Sequence, residues 1–322
     1  MIAGPNATGK TSLLEALYLV MTGRSFRTQN PRDLIRIGDK AYYAEVDFVK
    51  NGIEQKIRIG FDGTDRHLYY NATPLRSAAS LIGLLQGVVM TPDDIALVKG
   101  APGKRRQFLD MQLAQVNPLY VHYLTRYTRA MQQRNVLLKS KSVAAIETWE
   151  HEMAHAAAYL KAERETTVKE LQNLVSGIHG SISSDQGKLS VAYCPAFMNK
   201  EQYLRQLERD RGRELRFGFT LNGPHKDDLA IALGEQEARF FGSEGQQRGC
   251  AAILRLAEWH CMAARTEGKP IMLLDDIGIS LDAERKKRLL GVLPQLGQVF
   301  VTTTSVEDAD HLPHVHVIEM VS

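Results

Sequence analysis

Gly4-Pro5-Asn6-Ala7-Thr8-Gly9-Lys10-Thr11 fits the spacing G-x-x-x-x-G-K-[ST] without a gap or a substitution. Each special position answers a geometric demand. The glycines let backbone N–H groups curl round a polyphosphate, Lys10 places an ammonium near its outer phosphates, and Thr11 offers a hydroxyl to Mg²⁺. Ser12-Leu13-Leu14-Glu15-Ala16-Leu17-Tyr18-Leu19-Val20 follows as a good helix former. The anion would then sit at a helix N-terminus, where the dipole and free amides favour it. Residues 4–12 are therefore candidate nucleotide ligands. A loop of this kind normally leaves the carboxyl end of a strand, yet only Met1-Ile2-Ala3 precede it. The expectation is that N-terminal strands are missing, through a lost segment or a start assigned too far downstream.

Working outward, the next chemical signal is Ile271-Met272-Leu273-Leu274-Asp275-Asp276, an apolar run ending in two carboxylates. In phosphate-loop enzymes such a strand lies beside the loop's own strand and its terminal acid, here Asp275, holds Mg²⁺. Asp276 would stand where a carboxylate can polarise the attacking water. Between loop and strand, Ser243-Glu244-Gly245-Gln246-Gln247-Arg248 opens a helix, and a serine with free amides there makes a second anion cradle. Together with Ser280-Leu281-Asp282, these pieces resemble the signature and D-loop of ABC-type ATPase heads. That resemblance implies ATP as ligand and a site split across a dimer, with Ser243, Gly245 and Gln246 of one protomer closing over the other's nucleotide.

The rest of the chain reads as two α/β portions around a helical insert. A helix over 10–21 leads to a hairpin of strands 42–49 and 53–60, joined through Asn51-Gly52. Short strands are expected at 67–71 and 87–90. From Pro102 to about Arg216 the apolar spacing turns helical, with runs at 105–113, 118–141 and 143–178. Strands are expected again at 228–233 and 237–241, a helix at 245–266, a strand at 271–275, a helix at 283–293, and closing strands at 298–303 and 315–320. The domain reading is a first ATPase portion over 1–100, a helical lobe over 101–216 and a second ATPase portion over 217–322.

The 322 residues carry 44% hydrophobic and 24% charged side chains, an ordinary globular balance. No apolar run approaches the roughly 18 residues that span a bilayer. Cys194, Cys250 and Cys261 lack metal-ligand spacing and are odd in number, which fits reduced thiols in a cytoplasm. Net charge is only +3, but it is unevenly placed. Between residues 104 and 141 stand Lys104, Arg105, Arg106, Arg126, Arg129, Arg134, Lys139 and Lys141 against one acid, Asp110, with Tyr120, Tyr123 and Tyr127 interleaved. Such an excess would attract phosphates. Arg105, Arg106, Arg126, Arg129 and Arg134 are thus candidate DNA contacts. A solvated helix face with tyrosines packed on a core, and arginines bracing a junction, are the other readings.

The stretch Pro92-Asp-Asp-Ile-Ala-Leu-Val-Lys-Gly100-Ala-Pro102-Gly-Lys-Arg105-Arg106-Gln-Phe-Leu-Asp110 resembles the bacterial RecF family of recombination mediators. So do Gly4 to Leu14, Gly23-Arg-Ser-Phe-Arg-Thr28, Gly223-Pro-His225-Lys-Asp227-Asp228 and Gly245-Gln-Gln-Arg248. The resemblance implies an ATP- and Mg²⁺-dependent protein that binds double-stranded DNA and gap junctions, forms an ATP-dependent homodimer, hydrolyses ATP slowly, and acts with RecR and RecO to help load RecA. Ile279-Ser280 before Leu281-Asp282 departs from the family's small residue and Glu or His. His311, His314 and His316 read as surface or strand residues. The fold class expected is α/β, an ABC-type phosphate-loop ATPase head with a mixed sheet interrupted by a helical second lobe. An SMC-like or Rad50-like chromosome protein shares the head motifs but separates them with long coiled coils, for which this insert is short. A truncated scaffold that binds partners without turning over ATP is the reading from another class.

Overall fold

The computed structural model describes residues 1–182, 187–276, 282–312 and 314–321. The strands, in chain order, are β1 (Ile2–Ala3), β2 (Tyr42–Lys50), β3 (Ile53–Phe61), β4 (Arg66–Tyr70), β5 (Thr73–Pro74) and β6 (Gly87–Met90), then β7 (Leu189–Cys194), β8 (Asp228–Leu233), β9 (Gln236–Glu237), β10 (Ile271–Leu274), β11 (Val299–Thr303) and β12 (Ile318–Glu319). The helices are α1 (Lys10–Thr22), α2 (Ile95–Lys99), α3 (Pro102–Val116), α4 (Pro118–Lys139), α5 (Ile146–Ile182), α6 (Lys200–Phe217), α7 (Ala238–Phe241), α8 (Glu244–Arg265) and α9 (Ala283–Val292). Two compact units share them: one takes in Met1–Ile95, Ile178–Asp185 and Glu244–Ser322, the other Ala96–Gly177 and Gln186–Ser243.

The first unit is built on a wholly parallel sheet in the order β12-β1-β11-β10-β6. β1, β6 and β10 are short, apolar and largely buried, as strands covered on both faces must be, while the edge strand β12 is exposed. Ile2, Leu14, Met21, Val89 and Leu273 form one core. A separate antiparallel sheet, β2 to β5, packs Ile57, Ile59 and Leu68 against Leu19 and Val20 of α1. Asn51 and Gly52 both take positive φ, 54° and 76°, which is the turn that a two-residue hairpin needs. The parallel and antiparallel strands expected in one mixed sheet are thus divided between sheets.

In the second unit, α3 to α6 enclose a core of Leu113, Tyr120, Tyr127, Met153, Leu160, Tyr203 and Leu207. Tyr120 and Tyr127 are buried there and Tyr123 packs beside them, so the tyrosines of the basic tract serve packing. An antiparallel sheet β7-β8-β9 completes the unit. It moves the second divide from the expected 216 to 243, because β8 pairs along its whole length with β7. The strand expected at 237–241 is instead a two-residue pairing followed by the single helical turn α7, with Phe240 and Phe241 exposed.

Candidate nucleotide site

β1 delivers the chain into the loop between β11 and β12, and α1 leaves it. Gly4 has φ 156°, and a Cβ there would lie 2.3 Å from the carbonyl oxygen of Met320. Gly9 caps α1 from the left-handed region at φ 94°. Both positions therefore exclude a side chain, one by contact and the other by conformation. Lys10 Nζ donates to the carbonyl oxygens of Gly4 at 2.7 Å and Pro5 at 2.6 Å, and Thr8 Oγ1 donates to the Pro5 carbonyl at 3.0 Å. Pro5, Asn6, Ala7 and Ser12 are exposed round the loop's mouth.

Asp275 follows β10 and is buried at the foot of this loop. Its Oδ1 accepts hydrogen bonds from Thr11 Oγ1 at 2.8 Å and from Thr302 Oγ1 at 2.9 Å. Thr302 Oγ1 in turn accepts the Asp276 backbone N–H at 2.8 Å. Asp276 holds a positive φ of 48°, rare for a non-glycine residue and a form of backbone strain that collects at functional sites. Burial, with the Asp275 charge next, pushes its carboxyl above the ordinary range, while Lys10 and Lys286 oppose that shift. Thr302 carries no signal in the sequence, where it lies within an unremarkable threonine run. The register Leu274↔Val301 puts that run beside the acid strand, and only strand order reveals it.

Among the described residues no trio of His, Cys, Asp or Glu converges as a metal cluster. One carboxylate and one hydroxyl 2.8 Å apart form the sparse, hard oxygen set that Mg²⁺ accepts when water and phosphate complete its shell. The residues present fit that ion.

Ser243 is exposed and directly precedes α8, with Gly245 and Gln246 in its first turn. Gly245 and Gly249 leave room for Arg285 of α9, whose guanidinium lies 3.2 and 3.4 Å from where their Cβ atoms would be. Asp282 caps α9 and also accepts from Arg285 Nη1 at 2.8 Å. Arg285, which no sequence motif marks, thus rests the start of α9 on the signature helix. Ile279, Ser280 and Leu281 lie outside the described residues.

The basic residues expected to meet DNA fare differently. Arg134 is fully buried, donating to Glu150 at 2.9 Å, Glu214 at 2.6 Å and Thr220 at 2.9 Å, which removes it as a phosphate contact. Arg105 is likewise buried; it pairs in two-pronged fashion with Asp228 at 2.7 and 2.9 Å and binds the Gly100 carbonyl at the end of α2. Arg106 donates to the Asp227 carbonyl, and Arg126 to both oxygens of Glu152. Arg129 alone of the five is exposed with no hydrogen-bond or ion-pair partner among the described residues. The other four brace the second unit, and the acids that neutralise Arg105, Arg126 and Arg134 come from α5, α6 and β8, outside the basic stretch of the sequence.

The RecF/RecN/SMC N-terminal domain family matches residues 1–321. A DNA replication and repair protein RecF from Protochlamydia amoebophila is 48% identical over 320 residues, covering 97% of this chain and 89% of that relative. A solved structure described as the recombination mediator RecF with ATP, in the RecFOR pathway, is 28% identical with a TM-score of 0.88 over 99% of this chain and 88% of its own. An SMC head bound to the C-terminal winged-helix domain of ScpA, 15% identical with a TM-score of 0.55, covers 99% of this chain and 85% of its own and shares the fold alone. No helix among the described residues is long and apolar enough to cross a membrane.

Proposed function

This chain belongs to the RecF family, and from that membership we propose that it is an ATP-dependent, double-stranded DNA-binding protein of recombinational gap repair, closing as a dimer on ATP and acting with RecR and RecO to help load RecA. The observation that carries the reading is the 2.8 Å hydrogen bond from Thr11 to Asp275, which joins the phosphate loop to the acid strand. Thr11 and Asp275 would hold Mg²⁺, which would supply neutralisation of phosphate charge. Lys10 would exchange its Gly4 and Pro5 carbonyl partners for phosphate oxygens, a stronger charge-assisted pairing.

Asp276 would orient the attacking water. Most ABC-type heads place Glu after the metal-binding Asp; Asp276 is one methylene shorter, so its carboxylate falls roughly 1 Å short of that position, and misplacement of that size can slow a reaction about a hundredfold. Slow turnover suits a clamp that must persist on DNA. Single-turnover hydrolysis surviving Asp276→Asn would contradict this role.

The exposed Ser243 supports a site completed by a second copy. With a non-hydrolysable ATP analogue, the parent should double its mass in light scattering. Ser243→Arg should bind the analogue almost normally and remain a monomer; a variant that still dimerises overturns the split site.

A further inference from the structure

With Arg126 and Arg134 of α4 withdrawn into ion pairs and Arg129 alone left exposed there, α6 offers a fuller cationic face. Arg205, Arg209, Arg213 and Arg216 follow one another at intervals of four, four and three, which keeps them on one side of the helix. All four are exposed, whereas Tyr203, Leu207 and Glu214 turn the opposite side into the core. Arg205 and Arg216 have no ion pair among the described residues, and Arg213 lies only over the Phe217 ring, 5.6 Å from its centroid. Arg209 meets the neighbouring Asp210 at 3.3 Å with its own side chain 73% exposed, an exposed pair worth little. Of the other charges on α6, Arg211 is taken by Glu147 and Glu150, and Glu214 by Arg134. Glu201 and Glu208 remain as exposed acids.

The end of the helix adds a second feature. Gly218 closes α6 at φ 77°, with the Lys139 stem filling the space where a Cβ would lie. Phe217 and Phe219 flank it, 55% and 44% exposed, with ring centroids 6.0 Å apart. Two adjacent exposed phenylalanines beside cations are costly in water unless something covers them.

We infer that α6 is a DNA-binding face, its arginine stripe lying along a phosphodiester backbone and Phe217–Phe219 stacking on an unpaired base where duplex meets single strand. Arg205 to Arg216 spans about 16 Å at the helical rise, over which a duplex carries roughly ten phosphate charges. Arginine forks match phosphate oxygens, and the exposed ring surface of Phe217 and Phe219 offers the sequence-tolerant platform that splayed bases use. The inference rests on the proposed DNA-binding function and gives it a location.

Fluorescence anisotropy on the full chain with an ATP analogue tests it, using a labelled blunt duplex and the same duplex with a single-stranded tail. The fourfold variant R205Q/R209Q/R213Q/R216Q should bind both more than tenfold more weakly, and its slope of log affinity against log salt should shrink by about 0.9 for each phosphate that the stripe no longer neutralises. The fourfold lysine version keeps the charge and should keep the slope. Phe217→Ala with Phe219→Ala should erase the preference for the tailed duplex; a double variant that keeps the parent's ratio of tailed to blunt affinity overturns the stacking role. A parent that binds no duplex overturns the function and the inference together. A parent that binds, beside a glutamine variant with unchanged affinity and slope, overturns the α6 assignment alone; a face that serves an acidic protein gives that second result.

Discussion

Two clusters of charge lie at the heart of the two units, and they are built on opposite principles. Round Arg134 every charge is answered: Glu150 and Glu214 accept from it, Arg211 takes the second oxygen of Glu150, and the Leu221 N–H takes the second oxygen of Glu214. Round Asp275 the carboxylate is met by two hydroxyls, from Thr11 and Thr302. A closed, balanced network has no capacity left for a ligand and serves to fix helices against one another. An anion met by hydroxyls can still take a cation. The closed pattern recurs within the second unit, where Arg164 pairs with Asp110 and Asp227 and so ties α5 to α3 and to the turn ahead of β8.

Arg134 is the first place to challenge that contrast. Arg134→Ala leaves Glu214 buried without its cationic partner and Glu150 with Arg211 alone, and opening such a buried pair costs about 3–5 kcal/mol. Chemical denaturation should show a loss of that size, whereas Thr11→Val, at the cation-accepting cluster, should stay within about 1 kcal/mol of the parent. Equal losses would erase the distinction between architecture and site.

A smaller, pH-dependent difference is carried by His225. Its Nδ1 meets the Tyr127 hydroxyl at 2.7 Å and its Nε2 the Thr220 carbonyl at 3.2 Å, so both nitrogens are engaged in a neutral ring. Burial pushes its pKa down from 6.5 to about 4. The unfolded chain therefore binds the proton first as pH falls. Stability is fully present above pH 6.5 and is lost progressively down to about pH 4, by on the order of 3 kcal/mol. His225→Asn should flatten denaturation midpoints across that window; an unchanged pH slope would remove His225 from the closed network.

Much of the first unit is legible in the sequence because its signals are local. The glycine spacing of the loop, the Asn51-Gly52 turn and the apolar run into Asp275 each demand particular residue types at particular positions, and each element forms over its expected residues. But β11 stands between β1 and β10, so the acid strand is not the loop strand's direct neighbour as expected. The second unit resists for the converse reason. Arg134 looks cationic beside its sequence neighbours, but Glu150 and Glu214 reach it from 16 and 80 residues away. β7 is hidden within the helical lobe, although Leu189 and Val191 alternate inward, because its only strand partner among the described residues, β8, comes after a full helix. Glu237 to Phe241 resembles a strand through its phenylalanines, yet the ladder with β8 ends at Glu237 and the rings turn to solvent. Thr302 and Arg285 act through elements that only the fold brings near.

Titration of Mg·ATP into Lys10→Ala, beside the parent, decides whether the loop is the nucleotide site. A charge-assisted hydrogen bond is worth about 1.5–3 kcal/mol, so affinity should fall roughly tenfold to a hundredfold. The denaturation midpoint should not move, because among the described residues the hydrogen bonds of Lys10 go to its own loop's carbonyls at Gly4 and Pro5. Unchanged affinity for Mg·ATP in a folded Lys10→Ala protein would contradict the assignment of this loop as the ATP site.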